Sequence, residues 1–114
     1  MKDDRLYLIH ILEYIARIEE YTAEGRQVFF ADTRTQDAVL RNLQTLAEST
    51  QRLSLNLKAA YPDVDWRGIS GLRNILVHDY LGINLIRVWE IVERDLPLLK
   101  RQIEILLAGL RGNR

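Results

Sequence analysis

The stretch Gly71-Leu72-Arg73-Asn74-Ile75-Leu76-Val77-His78-Asp79-Tyr80 decides how this chain is read. Drawn as an α-helix from Arg73, it puts Ile75, Leu72, Leu76 and Ile69 at about 200°, 260°, 300° and 320°, a single apolar arc suited to a core. Tyr80, Ser70, Asn74 and His78 fall at about −20°, 60°, 100° and 140°, on the side that Arg73 occupies, with Val77 among them at about 40°. The stretch is therefore a one-sided helix. Asp79 would land on the apolar arc, so the helix is expected to loosen near His78.

Working outward, Tyr61-Pro62-Asp63-Val64-Asp65-Trp66 interrupts the pattern, because Pro62 disfavours a helical Tyr61, and Asp63 or Asp65 can cap the one-sided helix beyond it. That helix is expected over about Asp65 to Asp79, ending before Gly82, a residue suited to a left-handed turn. Asn84 can cap the next helix, whose stripe is Leu85, Val88, Trp89 and Val92. Pro97 lacks an N–H and should break that helix, with Asp95 capping a last one through Leu98, Leu99, Ile103, Leu106 and Leu110. The tail Gly112-Asn113-Arg114 is expected to fray.

Toward the N-terminus, Leu6, Ile9, Leu12 (or Ile11), Ile15 and Ile18 recur at helical steps, predicting a helix from about Asp4 to Tyr21. Asp3 and Asp4 suit its positive end, and His10 lies beside the stripe in a partly buried or surface role. Gly25 ends that helix, and Arg26 to Asp32 reads as a connection carrying Phe29 and Phe30 into the core. A second helix should start near Thr33, which has capping-box spacing with Gln36. It continues to about Ala60 through Val39, Leu40, Leu43, Leu46, Ala47, Leu53 and Leu57, with Arg41, Asn42 and Glu48 on a solvated face. Nothing alternates like a strand. The expected fold is all-α: one domain over 1–114, an antiparallel four-helix bundle whose last helix breaks at Pro97 to give a short fifth.

The totals narrow the classes. A chain of 114 residues, 47% hydrophobic and 28% charged, is neither disordered nor membrane-like. Zero formal net charge argues against bulk electrostatic binding of nucleic acid, although residues 51–114 carry ten Lys/Arg against seven Asp/Glu. The absence of cysteine excludes disulfides and is compatible with a reducing cytoplasm, the expected location. The opening Met1-Lys2-Asp3-Asp4-Arg5 is too acidic for a signal peptide, and no apolar run approaches the roughly 20 residues that span a bilayer.

An arginine and a histidine with no metal ligands nearby suit phosphodiester cleavage by RNA's own 2′-hydroxyl. The guanidinium can hold a phosphate bidentately, and an imidazole can move protons near neutral pH. Two histidines far apart and no cysteine make no metal-ligand cluster, and no cofactor motif is present. On one regular helix, however, Arg73 and His78 stand about 140° apart, too far to act on one small group as neighbours. Either the helix unwinds at His78 or a second copy of the chain completes the site. From the residues alone, a helix face that merely holds a dimer or another partner remains open beside a catalytic one.

Arg73-Asn74-Ile75-Leu76-Val77-His78-Asp79-Tyr80 matches the Arg-x4-His-x-Tyr motif of the HepT-like toxins, within the HEPN-domain ribonucleases. Asp37-Ala38-Val39-Leu40-Arg41-Asn42-Leu43, the lead-in from Trp66 to Gly71, Val88-Trp89-Glu90-Ile91-Val92 and Asp95-Leu96-Pro97 resemble the same family, so the likeness covers nearly the whole chain. The resemblance implies a homodimer with its two motifs facing across a cleft, and a metal-independent endoribonuclease toxin of a toxin–antitoxin system. It implies that Arg73 and His78 are catalytic, Arg73 on the phosphate and His78 in proton transfer, with Asn74 supporting. It also implies that Tyr80 is the tyrosine to which the partner, a minimal nucleotidyltransferase called MntA, adds AMP to silence the toxin. Some HEPN proteins instead serve as non-catalytic modules that bind a partner, a nucleotide or RNA.

Overall fold

A computed structural model describes residues 3–112, all of whose regular elements are helical. The expectation for Asn113 and Arg114 lies outside them. Helix α1 (Asp4–Tyr21) starts at Asp3, whose carboxylate accepts the Arg5 N–H, and it ends where expected. Its buried stripe is Leu8, Ile11, Ile15 and Ile18, so Ile15, Ile18 and the alternative Ile11 are buried as expected, and Leu8 replaces Leu6 and Ile9. Leu6 lies outside the core, and Ile9 and Leu12 only flank it. Two overlapping helical stripes exist in this sequence, and packing selects between them.

The expected connection after Gly25 is a short helix, α2 (Arg26–Ala31). Gly25 precedes it at φ 98°, the left-handed region that glycine reaches without steric cost. Phe29 is fully buried, with its ring 5.3 Å from that of Trp89, whereas Phe30 is only partly buried. Helix α3 (Thr33–Gln51) is capped by Asp32, one residue before the expected Thr33. Asp32 accepts the Thr35 hydroxyl and the Arg34 N–H, and those two bonds lower its carboxyl pKa from the ordinary value. Gln36 instead turns its amide back to the Phe29 and Phe30 carbonyls, which α2 leaves free at its end.

The long second helix expected to reach Ala60 stops at Gln51, and a separate helix α4 (Leu55–Ala60) comes after it. Ser54 makes the break: its hydroxyl caps Leu57 N–H at 3.1 Å. Its N–H and hydroxyl both donate to Asp4, at 2.8 and 2.7 Å, tying the start of α1 to the end of α3. Leu53 and Leu57 still enter the core on either side of that break. Asn42, expected on a solvated face, is buried and satisfied by donating to the Ala38 carbonyl at 2.8 Å.

Helix α5 (Trp66–His78) is followed by a 3₁₀ turn (Tyr80–Gly82). Gly82 does not adopt the left-handed conformation expected of it; among the described residues only Gly25 does. Helix α6 (Leu85–Glu90) is capped by Asn84 as expected, and a π-helical turn (Ile91–Asp95) leads directly into α7 (Leu96–Gly112). The break expected at Pro97 is therefore a change of hydrogen-bond register, with Leu96 N–H donating to Ile91 five residues back. That register absorbs the missing proline donor without turning the chain. The helix beyond it has 17 residues and is not a short addition. Asp95 accepts no capping N–H among the described residues and faces Arg87 at 3.5 Å.

Helix α1 packs on α3 and α7, and α3 packs on α5. Contacts between ends give the directions. Asp4 meets Ser54, Glu19 meets Lys100, and Tyr80 meets Asp37, so each packed pair runs antiparallel. The core is made by the α1 stripe with Val39, Leu43, Leu46, Leu76, Leu99, Ile103 and Leu106. Each such aliphatic side chain contributes roughly 1.5–3 kcal/mol when fully buried. No helix among the described residues is long and apolar enough to cross a membrane.

Candidate active site

Helix α5 begins at Asp65, whose carboxylate accepts the Gly68 N–H at 2.9 Å. It delivers Arg73, Asn74 and His78 to one side of the bundle. It ends at His78 because Asp79 leaves helical space at φ −141°, ψ 46°, although its N–H still closes on Ile75 at 2.8 Å. The expected loosening therefore falls one residue after the histidine. Tyr80 belongs to the turn, so its place is set by that turn and not by a wheel continued from Arg73.

Leu76 is buried, and Leu72 and Ile69 are partly buried, as the apolar arc requires. Ile75 is the departure: it is 47% exposed. It lines a cleft of about 550 Å³ between α5 and α7, together with Ile69, Leu72, Leu98 and Leu99. The arc is wider than the surface α3 covers, and its far edge faces this cleft. On the opposite side, Asn74 and His78 are exposed, and Val77 is 38% exposed among them.

Arg73 is half-buried. Its Nε is enclosed without a hydrogen-bond partner among the described residues, and its Nη1 donates to the side-chain Oδ1 of Asn74 at 3.3 Å. Among the described residues no carboxylate pairs with it. A guanidinium held by a neutral amide keeps its whole charge and several donors for an incoming anion. Asn74, singled out as supporting, is thus in contact with the arginine it would support.

Arg73 and His78 both lie within the regular part of α5. Helix geometry separates them by about 140° and roughly 7.5 Å of rise. One chain carries both groups on the same helix without bringing them together. Among the described residues no three metal-ligating side chains gather. His10, on the distant α1, sits between the rings of Tyr7 and Tyr14 at 6.3 and 6.5 Å and has no part in this face.

Tyr80 brings in a residue to which sequence reasoning assigns no role. Its phenol, 38% exposed, donates to Asp37 on α3 at 3.3 Å. Partial burial raises the Tyr80 pKa above the usual tyrosine value, and the charge of Asp37 and this hydrogen bond raise it further. Asp37 lies within a segment that carries the family likeness, but nothing local in the chain pairs positions 37 and 80.

Residues 11–106 match the family model described as Ribonuclease HepT-like. A protein of Thermococcus cleftensis named "Probable ribonuclease HepT" is 36% identical over 101 residues, 88% of this chain and 92% of that protein. A Methanocaldococcus jannaschii protein named "Putative RNase" is 33% identical over 106 residues, 92% of this chain and 97% of its own length. A longer protein of that organism, named "Gamma-glutamylcyclotransferase and putative RNase", is 36% identical over 114 residues. The match takes in 99% of this chain but only 51% of that protein, so this chain spans about half of it. No solved structure matches.

Proposed function

The chain belongs to the Ribonuclease HepT-like family, and from that premise we propose that it is the toxin of a toxin–antitoxin pair, a metal-independent endoribonuclease of the cytoplasm. The observation that carries the reading is the half-buried Arg73 guanidinium, which no carboxylate pairs among the described residues and which Asn74 steadies, on the helix that also presents His78.

In the proposed reaction the RNA 2′-hydroxyl attacks the adjacent phosphorus. The bond to the 5′-oxygen breaks, leaving a 2′,3′-cyclic phosphate at the end of the upstream fragment and a 5′-hydroxyl on the downstream one. His78 takes or returns the proton at the attacking or leaving oxygen, and Arg73 holds the phosphate while its charge develops. The separation of the two groups on α5 favours a homodimer, in which a two-fold axis would bring Arg73 of one copy toward His78 of the other. Tyr80 is the switch in this reading. A nucleotidyltransferase antitoxin of the MntA type would add AMP to its phenol, and the added phosphate and adenosine would block the RNA path by charge and bulk.

The test is cleavage of RNA by the purified chain and growth of cells expressing it without its partner. Loss of both cleavage and growth arrest in His78→Ala supports the reading. RNA that is bound but never cut, or an equally toxic alanine variant, would replace it with a non-catalytic binding module.

A further inference from the structure

Seven of the sixteen carboxylates of this chain hold its helices. Asp3, Asp32 and Asp65 cap helices, Asp4 binds Ser54, and Glu19, Glu90 and Asp95 lie in ion pairs. Asp37 is different. It lies exposed in the second turn of α3, and the only hydrogen-bond partner of its carboxylate among the described residues is the Tyr80 phenol.

Tyrosine exposure alone does not single out a site of modification. Tyr21 is 39% exposed and Tyr80 38%. What separates them is the carboxylate: among the described residues Tyr80 donates to one, and Tyr21 makes no such hydrogen bond.

We propose that Asp37 is the proton acceptor for Tyr80 when its phenol is adenylylated, so that this chain supplies the base for its own modification. The inference rests on the reading of Tyr80 as the switch. The co-reactant is a nucleoside triphosphate delivered by the nucleotidyltransferase. The phenol oxygen forms a bond to the α-phosphorus, the bond from that phosphorus to the β-phosphate oxygen breaks, and pyrophosphate leaves with its electron pair. The phenolic proton passes to the Asp37 carboxylate and from there to water.

The resting contact of 3.3 Å is longer than the roughly 2.7–2.8 Å usual between oxygens. It would tighten as the phenol becomes more acidic on bonding to phosphorus. Burial and the Asp37 charge keep the phenol protonated, so the proton must be removed during the attack. The other charged or titratable groups nearby in sequence or on the same face are Arg34 and Arg41 on α3, Arg73 and His78 on α5, and Asp79 in the turn. None of them is ion-paired to Asp37 among the described residues.

The experiment incubates the full chain with its nucleotidyltransferase and ATP and tracks the AMP adduct by intact mass and peptide mapping. Asp37→Asn keeps an acceptor oxygen toward the phenol but cannot take its proton. Its initial rate at neutral pH should fall about 100-fold. The deficit should narrow as pH rises and phenolate forms, and Asp37→Glu should restore the rate to within roughly tenfold. A merely positioning role would leave Asp37→Asn at the wild-type rate, and that result would overturn the proposal. If wild type acquires its adduct at Tyr21 or nowhere, the reading of Tyr80 as the switch falls, and the role of Asp37 with it.

Discussion

The phenol of Tyr80 reaches across from the turn after α5 to Asp37 on α3, joining residues 43 positions apart through a hydrogen bond of 3.3 Å. This contact places the motif's last residue against a different helix from the one that carries Arg73 and His78. It also gives the Tyr80 phenol a pKa above its usual value, through burial first, then the Asp37 charge, then the hydrogen bond.

That shift can be read directly. Alkaline titration of Tyr80 by NMR or ultraviolet difference should show it ionising above the ordinary value near 10. Asp37→Asn should move it down toward that value. Because the folded pKa is raised, the stabilisation it represents is present below the unfolded tyrosine pKa and is lost as pH rises through the folded one. An unchanged titration in Asp37→Asn would mean the two groups do not meet in solution.

If each site takes Arg73 from one copy and His78 from the other, two inactive variants should complement. Mixing Arg73→Ala with His78→Ala chains in equal amounts puts half the dimers in the mixed form, and each of these has one intact site. About a quarter of wild-type RNA cleavage should return. Mixtures that stay inactive after subunit exchange would place both groups of a site on one chain.

Arg73 is expected to tolerate no substitution by lysine. A phosphate held by two guanidinium nitrogens loses that geometry with an ammonium, so Arg73→Lys should cost about 100-fold or more in single-turnover cleavage. Asn74→Ala removes only the amide that steadies Nη1. A loss of about tenfold is expected from it, the worth of one hydrogen bond to a charged group.

Two substitutions outside the motif test the scaffold. Asn84→Ala removes the oxygen that accepts the Ile86 and Arg87 N–H groups at 2.9 and 3.3 Å, and should cost about 1 kcal/mol in denaturant unfolding. Gly25→Ala adds a methyl that meets nothing within 4 Å, so any loss comes from the backbone at φ 98°. About 1 kcal/mol or more is expected there, with RNA cleavage unchanged. A neutral Gly25→Ala would mean that the turn is not left-handed in solution.

The bounds of α1, the cap at Asn84, the cap of α5 as one of Asp63 and Asp65, the end of α5 to within a residue and the exposed polar face of that helix were legible in the chain because each depends on residues within about one turn of one another. The same locality allowed the inference that Arg73 and His78 do not meet on one regular helix. Where two local patterns were equally good, packing chose. Leu8 replaced Leu6 in the buried stripe, Ile75 was left facing a cleft, and Asn42 went inside by bonding to its own backbone. The break at Ser54 needed Asp4 from the far end of α1, and Pro97 stayed helical because the preceding turn changed register. The Asp37–Tyr80 contact belongs wholly to the tertiary structure. It exists because α3 and α5 pack antiparallel in one register, and that register is fixed by side chains buried between the helices, not by either segment alone.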